Sequence, residues 1–200
     1  MNRIMVLAVF FLSGAAALLY QVVWQRALFA IVGINFESVT IVVTAFMLGL
    51  GAGSMGGGAL SRNPRRSVLL LFAAAEACIG LFGFFSLPLL RWVGDLTLNL
   101  SYAGTFLVTF LSVLVPTALM GATLPLLVAH FVRGSGNVGR SVGILYFINT
   151  LGSAGASFAS VLYVLAHFGQ AGTTRIAAAM NAIAAISMGV EHLRTRRRPA

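Results

Sequence analysis

Charged residues are scarce in this sequence. Asp, Glu, Lys and Arg together make up only 8% of its 200 residues, whereas soluble globular domains carry about 25%. Hydrophobic residues make up 59%, which is too much apolar surface for a water-soluble domain or a disordered chain. A coiled coil is excluded as well, because it needs charges beside its apolar seam. The composition therefore indicates an integral membrane protein surrounded by the lipid bilayer.

Acidic residues, lysine and cysteine are scarcer still. Four acidic residues stand against 13 basic ones, all of them arginine, for a net charge of +9. Because the arginines lie between apolar runs, they indicate membrane topology rather than nucleic-acid binding. The one cysteine, Cys78, cannot form an internal disulfide, and His130, His167 and His192 share no spacing typical of metal ligands. We therefore expect neither a metal nor a cofactor, and the sequence offers no catalytic constellation.

Six apolar stretches are long enough to cross a bilayer as helices, which takes about 20 residues each. They lie at 4–28, 39–60, 67–90, 102–132, 141–166 and 172–190. The sequence thus predicts an all-α bundle of six transmembrane helices over residues 1–192, followed by a basic cytosolic tail at 193–200. The first stretch could instead be a signal peptide with a cleavage site near Ser13–Ala17, but its length favours a membrane helix.

The arginines orient the predicted bundle. With six spans, ten of the 13 arginines fall on the side that holds both chain ends. Only Arg26, Arg91 and Arg175 fall on the other side. Since arginine concentrates in cytoplasmic loops, both termini are predicted to be cytoplasmic.

Glycines recur at helical spacing in two of the stretches. Gly49, Gly53 and Gly57 lie four residues apart on one face of the second, and Gly152 belongs to a similar small-residue face in the fifth. Small residues let helix backbones approach closely in a membrane, so these glycines are predicted to pack helices. A phosphate-binding loop at 56–58 is the alternative, but the Lys and Ser/Thr that such a loop needs are missing.

Glu76 is the most informative polar residue, because it lies near the middle of the third stretch. A charged group at that depth costs at least about 3 kcal/mol. It must therefore face the bundle interior, where it either handles a proton or cation or remains a neutral acid bonded to a neighbouring helix. The sequence alone leaves both interpretations open.

Other polar residues lie near it in the predicted bundle or at its outer end. Gln21 and Gln25 share one helix face, as an outer anchor or as the lining of a cavity, and Asn149 is predicted to bond across helices. Glu37 opens the second stretch on the same side as Arg26, so an ion pair or a helix-dipole interaction is expected there.

The run Gly49–Arg66 (GLGAGSMGGGALSRNPRR) resembles the loop between the second and third helices of major facilitator transporters. That resemblance implies a fold similar to one half of such a transporter, built from inverted three-helix repeats. The Asp that usually precedes the arginine in that loop is absent before Arg62.

A more specific resemblance, over nearly the whole chain, is to the membrane domain of fused spermidine-synthase-like bacterial proteins. It is carried by the Glu76-centred third span and by 13–26 (SGAAALLYQVVWQR), 37–54, 116–125 (PTALMGATLP) and 138–153 (VGRSVGILYFINTLGS). The resemblance implies a bacterial inner-membrane location. It also implies a cytosolic aminopropyltransferase-like domain that binds decarboxylated S-adenosylmethionine through a glycine-rich loop. No residue here matches that loop, so the transfer reaction is not expected of this chain alone.

Two functions remain open on the sequence. The first is a membrane module that anchors a cytosolic aminopropyltransferase-like subunit and passes a small cationic or amphipathic substrate. The second is a half-size transporter working as a homodimer paired through its glycine faces. Its site would be lined by Glu76, Gln21, Gln25 and Asn149.

Overall fold

The computed structural model describes residues 3–33, 36–63 and 65–196. In this part of the chain the regular structure is helical. The helices are α1 Arg3–Val32, α2 Phe36–Ser61, α3 Val68–Thr97, α4 Tyr102–Ser135, α5 Val138–Ala159 and α6 Leu165–Arg196, with a π-helical turn at Ser160–Val164 between the last two. The all-α prediction is confirmed.

Short polar side chains begin three of the helices. Ser67 accepts a hydrogen bond from the Leu70 backbone at 3.3 Å, Ser101 from Gly104 at 3.3 Å, and Asn137 from Arg140 at 2.9 Å. Each side chain satisfies a backbone N–H that has no partner in the first turn of its helix. These hydrogen bonds fix the residue at which α3, α4 and α5 each begin.

Glycines bring α2 and α4 into backbone contact. Gly49 faces Thr117, Gly53 faces the backbone of Ala118, and a Cβ added to Gly57 would lie 2.6 Å from the Ala122 carbonyl oxygen. The Thr117 hydroxyl also donates to the Ala45 carbonyl across the interface, at 3.2 Å. The glycine face of α2 is therefore covered by the chain's own α4.

The interface between α1 and α5 is built in the same way. Gly14 lies against the backbone of Asn149, and Gly152 lies against that of Phe11. Ser153 donates to the Gly14 carbonyl at 2.9 Å and Asn149 donates to the Phe10 carbonyl at 3.2 Å. Close approach and interhelical hydrogen bonds of this kind are typical of contacts between membrane helices, between which the hydrophobic effect does not act.

Buried apolar side chains form two clusters along the bundle. One contains Val6, Val68, Leu126, Leu145 and Met188 together with their neighbours. The other contains residues of α1, α2, α3 and α4, as well as Ala156 and Ala177. Each cluster holds residues from before and after Gly169, which are Leu145 and Met188 in the first and Ala156 and Ala177 in the second.

Among the residues that the structure describes, five helical stretches are long and apolar enough to cross a membrane. The first four correspond to the predicted spans, with α1 and α3 at 30 residues each and α4 at 34 residues. The predicted fifth and sixth spans form one helical stretch, Val138–Thr195, of 58 residues. Gly169 interrupts it with φ 62° and ψ −172°, which is not a helical conformation.

Candidate functional site

Glu76 lies at the centre of the bundle and is completely buried. Its two carboxylate oxygens accept hydrogen bonds from two other helices. The Ser13 hydroxyl of α1 donates to Oε1 at 2.6 Å, and the Asn181 amide of α6 donates to Oε2 at 2.7 Å. The carboxylate therefore joins α1, α3 and α6.

Asn181 extends this network to a fourth side chain. While its amide nitrogen serves Glu76, its Oδ1 accepts a hydrogen bond from the Tyr20 hydroxyl at 3.0 Å. Tyr20 and Asn181 are buried. We call Ser13, Tyr20, Glu76 and Asn181 the carboxylate network. Its polar groups satisfy one another, as buried groups must.

Two glycines on α3 make room for these side chains. Gly80 and Gly83 follow Glu76 by one and two helical turns, so all three lie on one face. A Cβ on Gly80 would lie 3.1 Å from Cβ of Asn181, and one on Gly83 would collide with the Tyr20 ring. The local sequence of α3 thus places one carboxylate and two glycines along the helix face that packs against α1 and α6.

An aromatic group adjoins the network. Trp24 stacks on Tyr20 with ring centroids 5.1 Å apart, and it packs edge-on against Phe82 at 5.5 Å and at a tilt against Phe46 at 6.0 Å. Trp24 is completely buried, yet its indole Nε1 has no hydrogen-bond partner among the described residues. Such a donor is rare in a folded protein and marks a place where a further acceptor would be stabilising.

The groups that bond the carboxylate are neutral. Ser13 and Asn181 carry no charge, and no arginine or histidine of the described chain is hydrogen-bonded to Glu76. A buried carboxylate without a positive partner is stabilised by a proton or by a cation. The arrangement can therefore exchange a proton, or accept a small cation, at mid-depth in the bundle.

The structure brings only one of the four predicted site residues into this network. Gln21 and Gln25 are half-buried, and neither is hydrogen-bonded to Glu76. Since Tyr20 points into the core, the next residue along α1 is turned by about 100° and points elsewhere. Asn149 does bond across helices, but to the Phe10 carbonyl of α1 at 3.2 Å.

Of the predicted pair of Arg26 and Glu37, the structure describes only the side chain of Arg26. It is exposed and lines a cleft together with Arg91, Asp95 and Gln170. The side chain of Glu37 lies outside the described residues. The predicted helix-packing residues Gly49, Gly53, Gly57 and Gly152 all face neighbouring helices of the same chain.

Sequence reasoning did not assign Ser13, Tyr20, Trp24 or Asn181 to the site. Ser13 and Tyr20 are seven residues apart, which places them on one face of a helix two turns apart. That spacing was a usable signal on α1, but no pattern in the sequence says that this face meets Glu76. Only the packing of α1 and α6 against α3 reveals it.

Metal-binding residues do not gather in the described part of the chain, where no group of three or more His, Cys, Asp or Glu could hold a metal ion. Cys78 is on the exposed side of α3.

Comparison with protein-family models, with curated proteins and with solved structures finds no match to this chain. The carboxylate network and the bundle that surrounds it are therefore the features that bear on the function.

Proposed function

We propose that the chain crosses the bacterial inner membrane six times, as a bundle similar to one half of a major facilitator transporter. The path of its last part supports this. Leu145 and Met188 belong to one cluster, and Ala156 and Ala177 to the other. Along the chain, Leu145 and Ala156 precede Gly169, and Ala177 and Met188 follow it. The chain therefore passes the two clusters in one order and then in the reverse order, so it turns back between Ala156 and Ala177. Gly169, which is not helical, lies in that interval.

We further propose that this bundle is a membrane module that passes a small cation by way of Glu76. One observation carries the proposal: a fully buried carboxylate of α3 is held by two other helices, α1 and α6, through neutral donors. Ionisable residues inside a membrane are costly and commonly mark the pathways of protons and substrates. A cation that enters the network would supply the positive charge that the neutral donors to Glu76 lack.

The neighbouring aromatic rings favour an organic ammonium as the cation. The Tyr20 and Trp24 rings, stacked on each other, lie beside the network, and cations are attracted to aromatic rings. This agrees with the resemblance to membrane domains of spermidine-synthase-like proteins, whose chemistry concerns amines. The module would then serve a cytosolic aminopropyltransferase-like partner, docked on the arginine-rich side and anchored by the bundle.

Uptake into proteoliposomes tests the cation pathway. Wild-type protein, reconstituted with an imposed pH gradient, should take up radiolabelled spermidine, with a pH change reported by a trapped dye. Glu76→Gln keeps the shape of the side chain but removes its charge. Uptake by this variant should fall at least about tenfold, since a charge-assisted interaction contributes about 1.5–3 kcal/mol.

Asp95→Asn is the matched control, because Asp95 is an exposed carboxylate of the same helix. It should leave uptake unchanged. Uptake by Glu76→Gln at the wild-type rate, or the lack of any uptake by the wild type, would refute the proposed pathway.

A homodimer of half-size transporters is the second proposal, and open glycines favour it. The glycine faces named from the sequence are occupied within the chain. Gly51 and Gly58 of α2 and Gly143 and Gly155 of α5, however, have open space where a Cβ would lie. These positions would let a second copy approach closely.

Gly51→Leu tests this pairing, and the variant should be a monomer in light scattering where the wild type is a dimer. A monomeric wild type would exclude the pairing.

A further inference from the structure

A basic cleft of about 640 Å³ lies at the end of the bundle away from the aromatic group. It forms where the segment before α3 meets the ends of α4 and α6. Its lining residues are Arg65, Arg66, Ser67, Leu70, Leu71, Arg133 and His192. None of them belongs to the carboxylate network, so the cleft is a separate feature of the molecule.

The rim of the cleft is cationic. Arg65, Arg66 and Arg133 are all exposed. Arg133 is held in place by a hydrogen bond of 2.9 Å from its guanidinium to the Ser61 carbonyl at the end of α2. No acidic residue is among the described residues that line the cleft. Guanidinium groups suit phosphate in particular, since their planar N–H donors match its oxygens.

Below this rim the lining changes character. Ser67 and His192 are hydrogen-bonded to each other at 2.8 Å and form the polar wall. Leu70, one turn into α3, is 52% exposed and continues into the apolar surface of the helix. α3 is a candidate membrane span that begins at Val68. The arginines therefore lie where lipid headgroups would be, and Leu70 lies where acyl chains would begin.

We propose that the cleft binds the phosphate of an anionic phospholipid. Arg65, Arg66 and Arg133 hold the phosphate, while Leu70 and Leu71 contact the first part of an acyl chain. Charge complementarity selects an anionic lipid over a zwitterionic one. The apolar wall beneath the arginines selects a lipid over free phosphate. The proposal does not depend on transport through Glu76.

Native mass spectrometry of the delipidated full chain in detergent tests this site, with cardiolipin and phosphatidylcholine as probes. Cardiolipin should bind more tightly than phosphatidylcholine, and raising the ionic strength should weaken it. The double variant Arg65→Gln/Arg66→Gln should weaken cardiolipin binding by about 30-fold, from the contribution of two arginines near an anionic lipid surface. Millimolar inorganic phosphate should not displace the lipid.

Arg140→Gln is the matched control, because Arg140 is exposed at the start of α5 and does not line the cleft. It should leave the affinity unchanged. Equal binding by the wild type and the double variant would overturn the proposal, as would an equal loss in Arg140→Gln or displacement by free phosphate. If the double variant does not fold, the single variant Arg66→Gln and the ionic-strength dependence of the wild type decide the question.

Discussion

Asn181 is hydrogen-bonded to two buried side chains that belong to different helices. Its amide donates to Glu76 and its carbonyl accepts from Tyr20. A leucine has the same branching and the same number of side-chain heavy atoms but can do neither. The residue therefore contributes through both of its polar atoms at once, and its loss affects α1 and α3 together.

Asn181→Leu is expected to destabilise the bundle by about 1–3 kcal/mol, because it leaves a buried oxygen of Glu76 and the Tyr20 hydroxyl unpaired. The measurement is the thermal unfolding midpoint in detergent. Asn99→Leu, in the exposed loop between α3 and α4, serves as the control and should have little effect. Equal midpoints for Asn181→Leu and wild type would show that the network does not stabilise the fold.

The importance of Glu76 could be predicted from its sequence surroundings, but its partners could not. A lone carboxylate in an apolar run has to be buried or neutralised, and that follows from one residue and its neighbours. Ser13, Tyr20 and Asn181 are common polar residues, and their hydrogen bonds depend on how three helices pack. Gln21 and Gln25 looked equally suitable in the sequence, yet the rotation of α1 turns them away from the carboxylate.

Helix packing is the scale at which the glycines act. Their spacing of four residues on α2 predicted a close helix contact, and α4 makes that contact in the same chain. The sequence did not indicate which helix would be the partner. Neighbouring glycines on α2 differ sharply, because some face α4 and others face outwards.

Gly53→Ala and Gly51→Ala form a matched pair on α2. A Cβ at Gly53 would collide with the Ala118 backbone, whereas a Cβ at Gly51 meets nothing within 4 Å. We expect Gly53→Ala to cost about 1–3 kcal/mol, since overpacking forces the helices apart, and Gly51→Ala to cost nothing measurable. Unfolding in detergent compares them, and equal losses would contradict the packing of α2 against α4.

Gly169 lies inside α6 and divides the long helical stretch Val138–Thr195 in two. Its φ of 62° and ψ of −172° place it in a region that only glycine adopts readily. Gly169→Ala is therefore expected to destabilise the fold by about 1–3 kcal/mol. Gly189→Ala, a helical glycine with open space around it, should be tolerated. Thermal midpoints of the two variants that coincide would argue against a turn at Gly169.

The whole molecule exposes a largely apolar surface. Large hydrophobic side chains such as Phe147, Phe158 and Leu162 on the last helical stretches are more than half exposed. A soluble protein does not tolerate such a surface, whereas lipid solvates it well. The composition alone predicted this apolar surface, since a chain of 200 residues that is 59% hydrophobic cannot bury all of its hydrophobic residues.

Labelling of single cysteines in intact cells tests the six-crossing topology. In a Cys78→Ala background, a membrane-impermeant maleimide should label Asn99→Cys and Gln170→Cys from outside but not Thr195→Cys. All three positions are exposed, so access is decided by the membrane. External labelling of Thr195→Cys without labelling of Gln170→Cys would instead indicate five crossings, with Val138–Thr195 as the last.

The sequence by itself was enough to predict the helical class of this protein, apolar helices long enough to cross a membrane, and a carboxylate near the middle of one of them. These properties follow from composition and from the length of apolar runs, which act along the chain. The tertiary structure alone decided which helices meet, and therefore which side chains surround Glu76 and where the arginines form a cleft. Membrane helices associate through shape and hydrogen bonds rather than through the hydrophobic effect, and such complementarity exists only once the helices are side by side.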